Sequence, residues 1–151
     1  MSSLPPLRKF KNEAECRKYY EETYCKNPVT TFDNIKVYFY KEKFDDAFFE
    51  SSNHKERDKS IFSIKRSERI DWIKNTLEDP KAKLFCGWDR DKKKPRKDRR
   101  VAIVTPQNYV VIITILSEER AKFITAYPIE GLRTLLMISS SEKWPKKRPL
   151  I

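Results

Sequence analysis

The amino-acid sequence predicts an α+β fold, with N-terminal helices packed on a roughly four-stranded antiparallel β-sheet. Two observations carry this reading. Helical periodicity dominates the stretches 12–25 and 67–80, and β-branched and aromatic runs cluster after residue 82. The connections between those later runs are too short for parallel crossovers, so they form a meander. The chain has 151 residues, the usual size of one domain with one real core. It divides into an N-terminal extension with a helix (1–34), the α+β domain (35–138) and a basic tail (139–151).

Residues 1–11 read as a flexible lead-in broken by Pro5 and Pro6. Asn12 is an N-cap, with Glu13 and Glu15 in the first turn of a helix that runs to about Cys25. The helix ends before Asn27-Pro28, because the residue before proline avoids the helical region. Ile35–Tyr40 is a strand, and Phe44, Phe48 and Phe49 give a short helix after it an apolar face. Residues 51–60 are polar. Ser67 opens the strongest helix, where Ile70, Ile73 and Leu77 repeat at helical spacing and Pro80 closes the run.

Strands follow at 82–88, 100–105, 109–116 and 122–127, with a turn at Thr105-Pro106-Gln107-Asn108. The run from Tyr109 to Ile115 is apolar at nearly every position, which predicts a central strand covered on both faces. Residues 131–138 suggest a short helix.

Charge points to partners. Lysine and arginine number 33 against 22 acidic residues, a formal charge of +11. A polyanion is the simplest partner for such a surface, because each neutralised phosphate releases counterions. The longest apolar run, Tyr109 to Leu116, is shorter than the roughly 20 residues a membrane span needs. No apolar leader is visible near the N-terminus, and three scattered cysteines suit a reducing cytoplasm. With two glycines there is no phosphate loop or dinucleotide fingerprint, and one histidine with three scattered cysteines makes a poor zinc site. No metal or cofactor is expected.

A histidine upstream of RSERIDWIKNTLEDP, then a strand, a basic loop, YVVIITI and KFITAYP, form a recognisable series. Over roughly His54 to Pro128 it resembles the phage-associated branch of the barnase–EndoU–colicin–RelE-like nucleases. The resemblance implies helices on a four-stranded antiparallel sheet and metal-independent RNA cleavage by a toxin or effector. It places site residues at His54, Arg66 or Arg69, Thr125 and Tyr127. RNA is the implied substrate, and a cognate antitoxin or immunity protein is the implied protein partner.

Metal-free RNA cleavage needs a base for the 2′-hydroxyl, an acid for the leaving 5′-oxygen and donors to hold the phosphate. His54 suits acid or base work, since its pKa lies near neutrality; an exposed surface histidine is the ordinary alternative. Arg66 and Arg69, three apart on the strong helix, share a side and offer planar forks to phosphate. Salt bridges to Glu68 or Asp71 would explain them otherwise. Thr125 and Tyr127 alternate on the last strand and point to one face with Phe123, opposite Ile124 and Ala126. Their hydroxyls can line a cleft, although both residue types also simply favour strands.

The loop 89–100 carries Arg90, Lys92, Lys93, Lys94, Arg96, Lys97, Arg99 and Arg100. It would bind RNA in a salt-dependent, sequence-blind way. Trp88 and Tyr109 lie near it in sequence and can stack on bases or pack in the core. Two other functions suit the same features: a nucleic-acid-binding module without catalysis, and a protein-interaction factor that meets an acidic partner.

Overall fold

A computed structural model describes residues 4–50, 61–85, 88–89, 94–95 and 100–129. Its helices are α1 (Glu13–Thr23), α2 (Lys43–Phe48), α3 (Ile64–Glu68) and α4 (Ile70–Glu78). The strands are β1 (Val29–Thr30), β2 (Lys36–Tyr38), β3 (Phe49–Glu50), β4 (Ile61–Phe62), β5 (Lys83–Phe85), β6 (Trp88–Asp89), β7 (Lys94–Pro95), β8 (Arg100–Val104), β9 (Tyr109–Ile115) and β10 (Arg120–Pro128).

The main sheet has six strands in the order β1-β2-β10-β9-β8-β5. Its centre is the expected antiparallel meander of β5, β8, β9 and β10. The four-stranded, wholly antiparallel expectation is corrected at one edge. There β2 lies parallel to β10, with Val37 opposite Ala121, and β1 extends it as a hairpin. The chain between β2 and β10 is long enough to make that parallel return. Composition marked IKVYFY as a strand but said nothing about its neighbour.

Helices cover one face of this sheet. Cys16 and Tyr20 from α1, Phe44 and Phe48 from α2, and Ile70, Ile73 and Leu77 from α4 join Val37, Phe39, Val111, Ile113 and Phe123 in one core. The N-terminal helix therefore shares the core of the residues after 35. Tyr20 sits at its middle, with ring centroids 5.7 Å from Phe44, 5.8 Å from Phe48 and 6.4 Å from Phe123. Burial pushes the Cys16 thiol up to about 12, so it behaves as a small hydrophobe, as its sequence setting suggested.

The outer face of the sheet has its own apolar cluster: Phe85, Ala102, Val104 and Val110, with Ile112, Tyr127 and Ile129 packed against it. Strand β9 is thus buried on both faces at its start, where its apolar run predicted cover, while Ile112 and Thr114 on the outer face are half-buried.

Three local expectations change. Residues 4–11 are not a loose lead-in. The Arg8 amide donates to the Glu68 carbonyl at 2.9 Å, and Trp72 Nε1 donates to the Pro5 carbonyl at 2.7 Å. The helix expected from Ser67 begins earlier: Ser63 caps α3, accepting from the Arg66 amide at 3.2 Å, and the run breaks at Arg69 before α4. Finally, a bulge between Phe123 and Thr125 resets the alternation of β10.

The β1–β2 and β8–β9 connections use the same chemistry. In each, a threonine is followed three residues later by an asparagine with positive φ: 69° at Asn34 and 61° at Asn108. The Thr31 amide donates to the Ile35 carbonyl at 2.8 Å, and the Thr105 amide to the Tyr109 carbonyl at 3.0 Å. Each threonine hydroxyl accepts from the amide four residues on, at 2.9 and 3.1 Å. Asparagine tolerates this left-handed backbone, which costs bulkier residues about 1–2 kcal/mol. Asn108→Val is expected to lower stability by about that amount in urea denaturation, with Asn108→Gly near wild type. Equal stability of the two variants would show that the turn does not depend on the left-handed residue.

Candidate functional site

The site is built around the α3–α4 break. Arg69 has φ −102° and ψ 17°, so the helix axis changes there, and the Trp72 amide bonds its carbonyl at 2.9 Å. Just beyond it, the buried Tyr24 hydroxyl donates to the Ile70 carbonyl at 2.6 Å and accepts from the Lys74 amide at 3.2 Å. That inserted hydroxyl fixes the first turn of α4. Arg66 therefore lies within α3 while Arg69 forms the junction, and the expected pairing on one regular helix does not occur.

The two arginines have different surroundings. Arg66 is half-buried and reaches the end of α2, where Nη1 lies 3.4 Å from the Ala47 carbonyl. Its guanidinium carbon sits 5.0 Å from the centroid of the Tyr127 ring, a cation–π arrangement. Arg69 turns to Trp72, also at 5.0 Å, and donates through Nη1 to the Lys65 carbonyl at 2.8 Å. Its Nε is buried without a hydrogen-bond partner.

The salt bridges that could have neutralised these arginines are largely taken. Asp71 is held by Arg8 at 2.8 Å and by the Tyr19 hydroxyl, and Glu68 is held by Lys9. Glu68 reaches Arg69 only at 4.0 Å. The N-terminal segment thus supplies cations for both acids.

Tyr109 lies at the edge of this region. Burial drives its hydroxyl well above the ordinary tyrosine pKa, and Arg66 and Arg69 pull weakly the other way. Its oxygen is 3.5 Å from the Arg69 carbonyl, at the outer limit of a hydrogen bond. Sequence reasoning offered Tyr109 base stacking or core packing, and its complete burial decides for the core.

Thr125 and Tyr127 do share a side of β10, opposite Ile112 and Val110. Phe123 does not share it. The bulge turns Phe123 and Ala126 into the helical core and sends Tyr127 to the outer cluster. The Thr125 hydroxyl donates to the Asp46 carbonyl at 3.0 Å. Its proton is thereby committed to tying β10 to α2, which argues against the expected donation to phosphate. Neither this bulge nor the α3–α4 break carries a glycine or proline that would have announced it.

Of the expected site residues, Arg66, Thr125 and Tyr127 meet at the end of α2, and Arg69 stands beside them. His54, Lys92, Lys93, Arg96, Lys97 and Arg99 lie outside the described residues. Strands β3 and β4, which flank 51–60, pair with each other, and the Ser63 amide bonds the Phe48 carbonyl at 2.7 Å. The residues that flank 51–60 are thus held together, Phe49 opposite Phe62 and Glu50 opposite Ile61. Strands β6 and β7 form a hairpin that places the Lys94 backbone, and Arg100 begins β8.

Among the described residues, no three His, Cys, Asp or Glu side chains group as metal ligands, and no helix is long and apolar enough to cross a membrane. No family model, no curated protein and no solved structure matches the chain.

Proposed function

We propose that this protein is a metal-independent endoribonuclease-like toxin or effector that cleaves RNA in the cytoplasm by acid–base phosphodiester transfer. The observation that carries the reading is the meeting of Arg66 with Tyr127 beside the end of α2. The sequence resemblance supports it independently.

In this scheme a base removes the 2′-hydroxyl proton, and the 2′-oxygen attacks phosphorus. The bond to the 5′-oxygen breaks, an acid protonates that oxygen, and a cyclic phosphate remains. His54 serves as one of the two proton-transfer groups and the Tyr127 phenol as the other. Arg66 holds the non-bridging oxygens as their charge reorganises, with Arg69 adding field rather than contact. The basic residues from Lys92 to Arg100 supply sequence-independent affinity.

One observation favours a second reading, a nucleic-acid-binding module without catalysis. The committed Thr125 proton removes one donor from the cleft. Incubating the purified protein with total RNA in EDTA, beside a His54→Ala variant, separates the two. Cleavage by the wild type that drops sharply in the variant is expected. Intact RNA with a salt-sensitive band shift would leave the binding module and end the catalytic reading.

A further inference from the structure

The outer face of the sheet changes character from one end to the other. Where β5, β8 and β9 meet the end of β10 it is apolar. At the other end, on β2 and the start of β10, it is basic and aromatic. Strand alternation explains why: Val37, Phe39, Ala121 and Phe123 turn into the helical core, so their neighbours turn outward.

Register then places the outward residues in rows. Lys36 lies directly opposite Arg120. In the next row Tyr38 lies opposite Lys122, Lys122 opposite Thr114, and Thr114 opposite the backbone position of Arg100. The Arg120 guanidinium sits 6.0 Å from the Tyr38 ring centroid. Tyr40 follows, 42 % exposed, its carbonyl held by the Tyr20 hydroxyl at 2.8 Å.

Two features of these rows are unfavourable for a bare protein. Like charges directly opposite each other across strands destabilise a sheet, and Lys36 faces Arg120. No acidic residue occupies either row, and Lys36, Arg120 and Lys122 make no ion pair among the described residues. A cationic corner with one exposed tyrosine, Tyr40, and one half-buried, Tyr38, has the composition of a single-strand binding surface, in which cations follow the backbone and rings stack on bases.

We propose that this corner of the sheet is a binding track for single-stranded nucleic acid, separate from the arginine site. It rests on the reading of the chain as an RNA-handling protein and extends it. The strand engaged at the Arg66–Tyr127 end of β10 runs along the outer face toward β2. Tyr38 and Tyr40 stack on its bases, and Lys36, Arg120 and Lys122 contact its phosphates. The Arg100 position continues the second row.

The test uses the full chain and a fluorescein-labelled 12-nucleotide single-stranded DNA, which lacks the 2′-hydroxyl and cannot be cleaved by the proposed route. Anisotropy gives affinity at several salt concentrations. Lys36→Gln/Arg120→Gln/Lys122→Gln is expected to bind at least tenfold more weakly and to flatten the log–log salt dependence by about 2, at ~0.7 per lost single-strand contact. Its melting temperature should equal or exceed the wild type's, since a like-charge pair is relieved. Tyr38→Leu, which keeps the strand, should weaken binding by about tenfold through lost stacking. Lys74→Gln, on α4, serves as the control. Affinity within twofold of wild type in the triple variant would overturn the track. So would equal competition by polyglutamate, which would assign the corner to an acidic protein. Because the probe is not cleaved, failure of the RNA-cleavage reading leaves this result interpretable.

Discussion

Replacing Arg66 with alanine is expected to lower the rate of RNA cleavage by about 10²–10³-fold, the usual loss when one donor to a developing oxyanion is removed. Arg66 is the expected site residue with the best-placed side chain: it bridges the end of α2 and the Tyr127 ring. Affinity for an uncleavable strand should change little, because the remaining cations supply most of the field. Arg66→Lys should recover only part of the rate, since an ammonium cannot present a planar fork or stack as well on tyrosine. The substitution also removes contacts worth about 1 kcal/mol of stability, so rates are compared well below both melting temperatures. Arg69→Ala should cost less, since its guanidinium is turned to Trp72 and the Lys65 carbonyl. If the two alanine variants lose equal activity, the distinction between a contacting and a field-supplying arginine is wrong. If neither loses any, the site is elsewhere.

The largest effect on stability is expected at Tyr20. Its ring meets Tyr24, Phe39, Phe44, Phe48 and Phe123 and so joins α1, α2 and both strand ends of the parallel ladder. Tyr20→Ala should cost about 3–5 kcal/mol, the range for removing a large buried ring. Tyr20→Phe keeps the ring and removes the hydroxyl's contacts with the Tyr40 carbonyl and the Cys25 thiol, so about 1 kcal/mol is expected. Urea denaturation of both variants checks the ratio. Similar losses would mean that the hydroxyl, not the ring, dominates. A loss near zero in both would contradict a single core that includes α1.

Much of the fold could be read from local chemistry. The Asn12 cap, the apolar spacing of Ile70, Ile73 and Leu77, and the alternation after residue 100 all act within a few residues, and each element appears near its expected place. The parallel pairing of β2 with β10 could not be read, because nothing in IKVYFY names its partner. The bulge at Ile124 was hidden for a related reason. Isoleucine suits either face of a strand covered on both sides, so the pattern of FITAY fits two registers. The turn of α4 just beyond the break at Arg69 is held by the hydroxyl of Tyr24, the residue that caps α1, a tertiary contact with no local signal. At the site, the family resemblance brought Arg66 and Tyr127 forward, and the structure brings their side chains together. The commitment of the Thr125 proton depends on where α2 docks, which the sequence does not state.

The parallel ladder between β2 and β10 also bears on how the protein is made. Hairpins such as β8–β9 close short loops and can form early, whereas β2 must wait for a partner at the far end of the chain. As the ribosome extends the polypeptide, Lys36 and Tyr38 emerge long before Arg120 and Lys122. The cationic corner therefore does not exist on a nascent chain that has yet to reach β10. A protein that acts on RNA would in this way be synthesised beside abundant ribosomal RNA with that surface still unassembled.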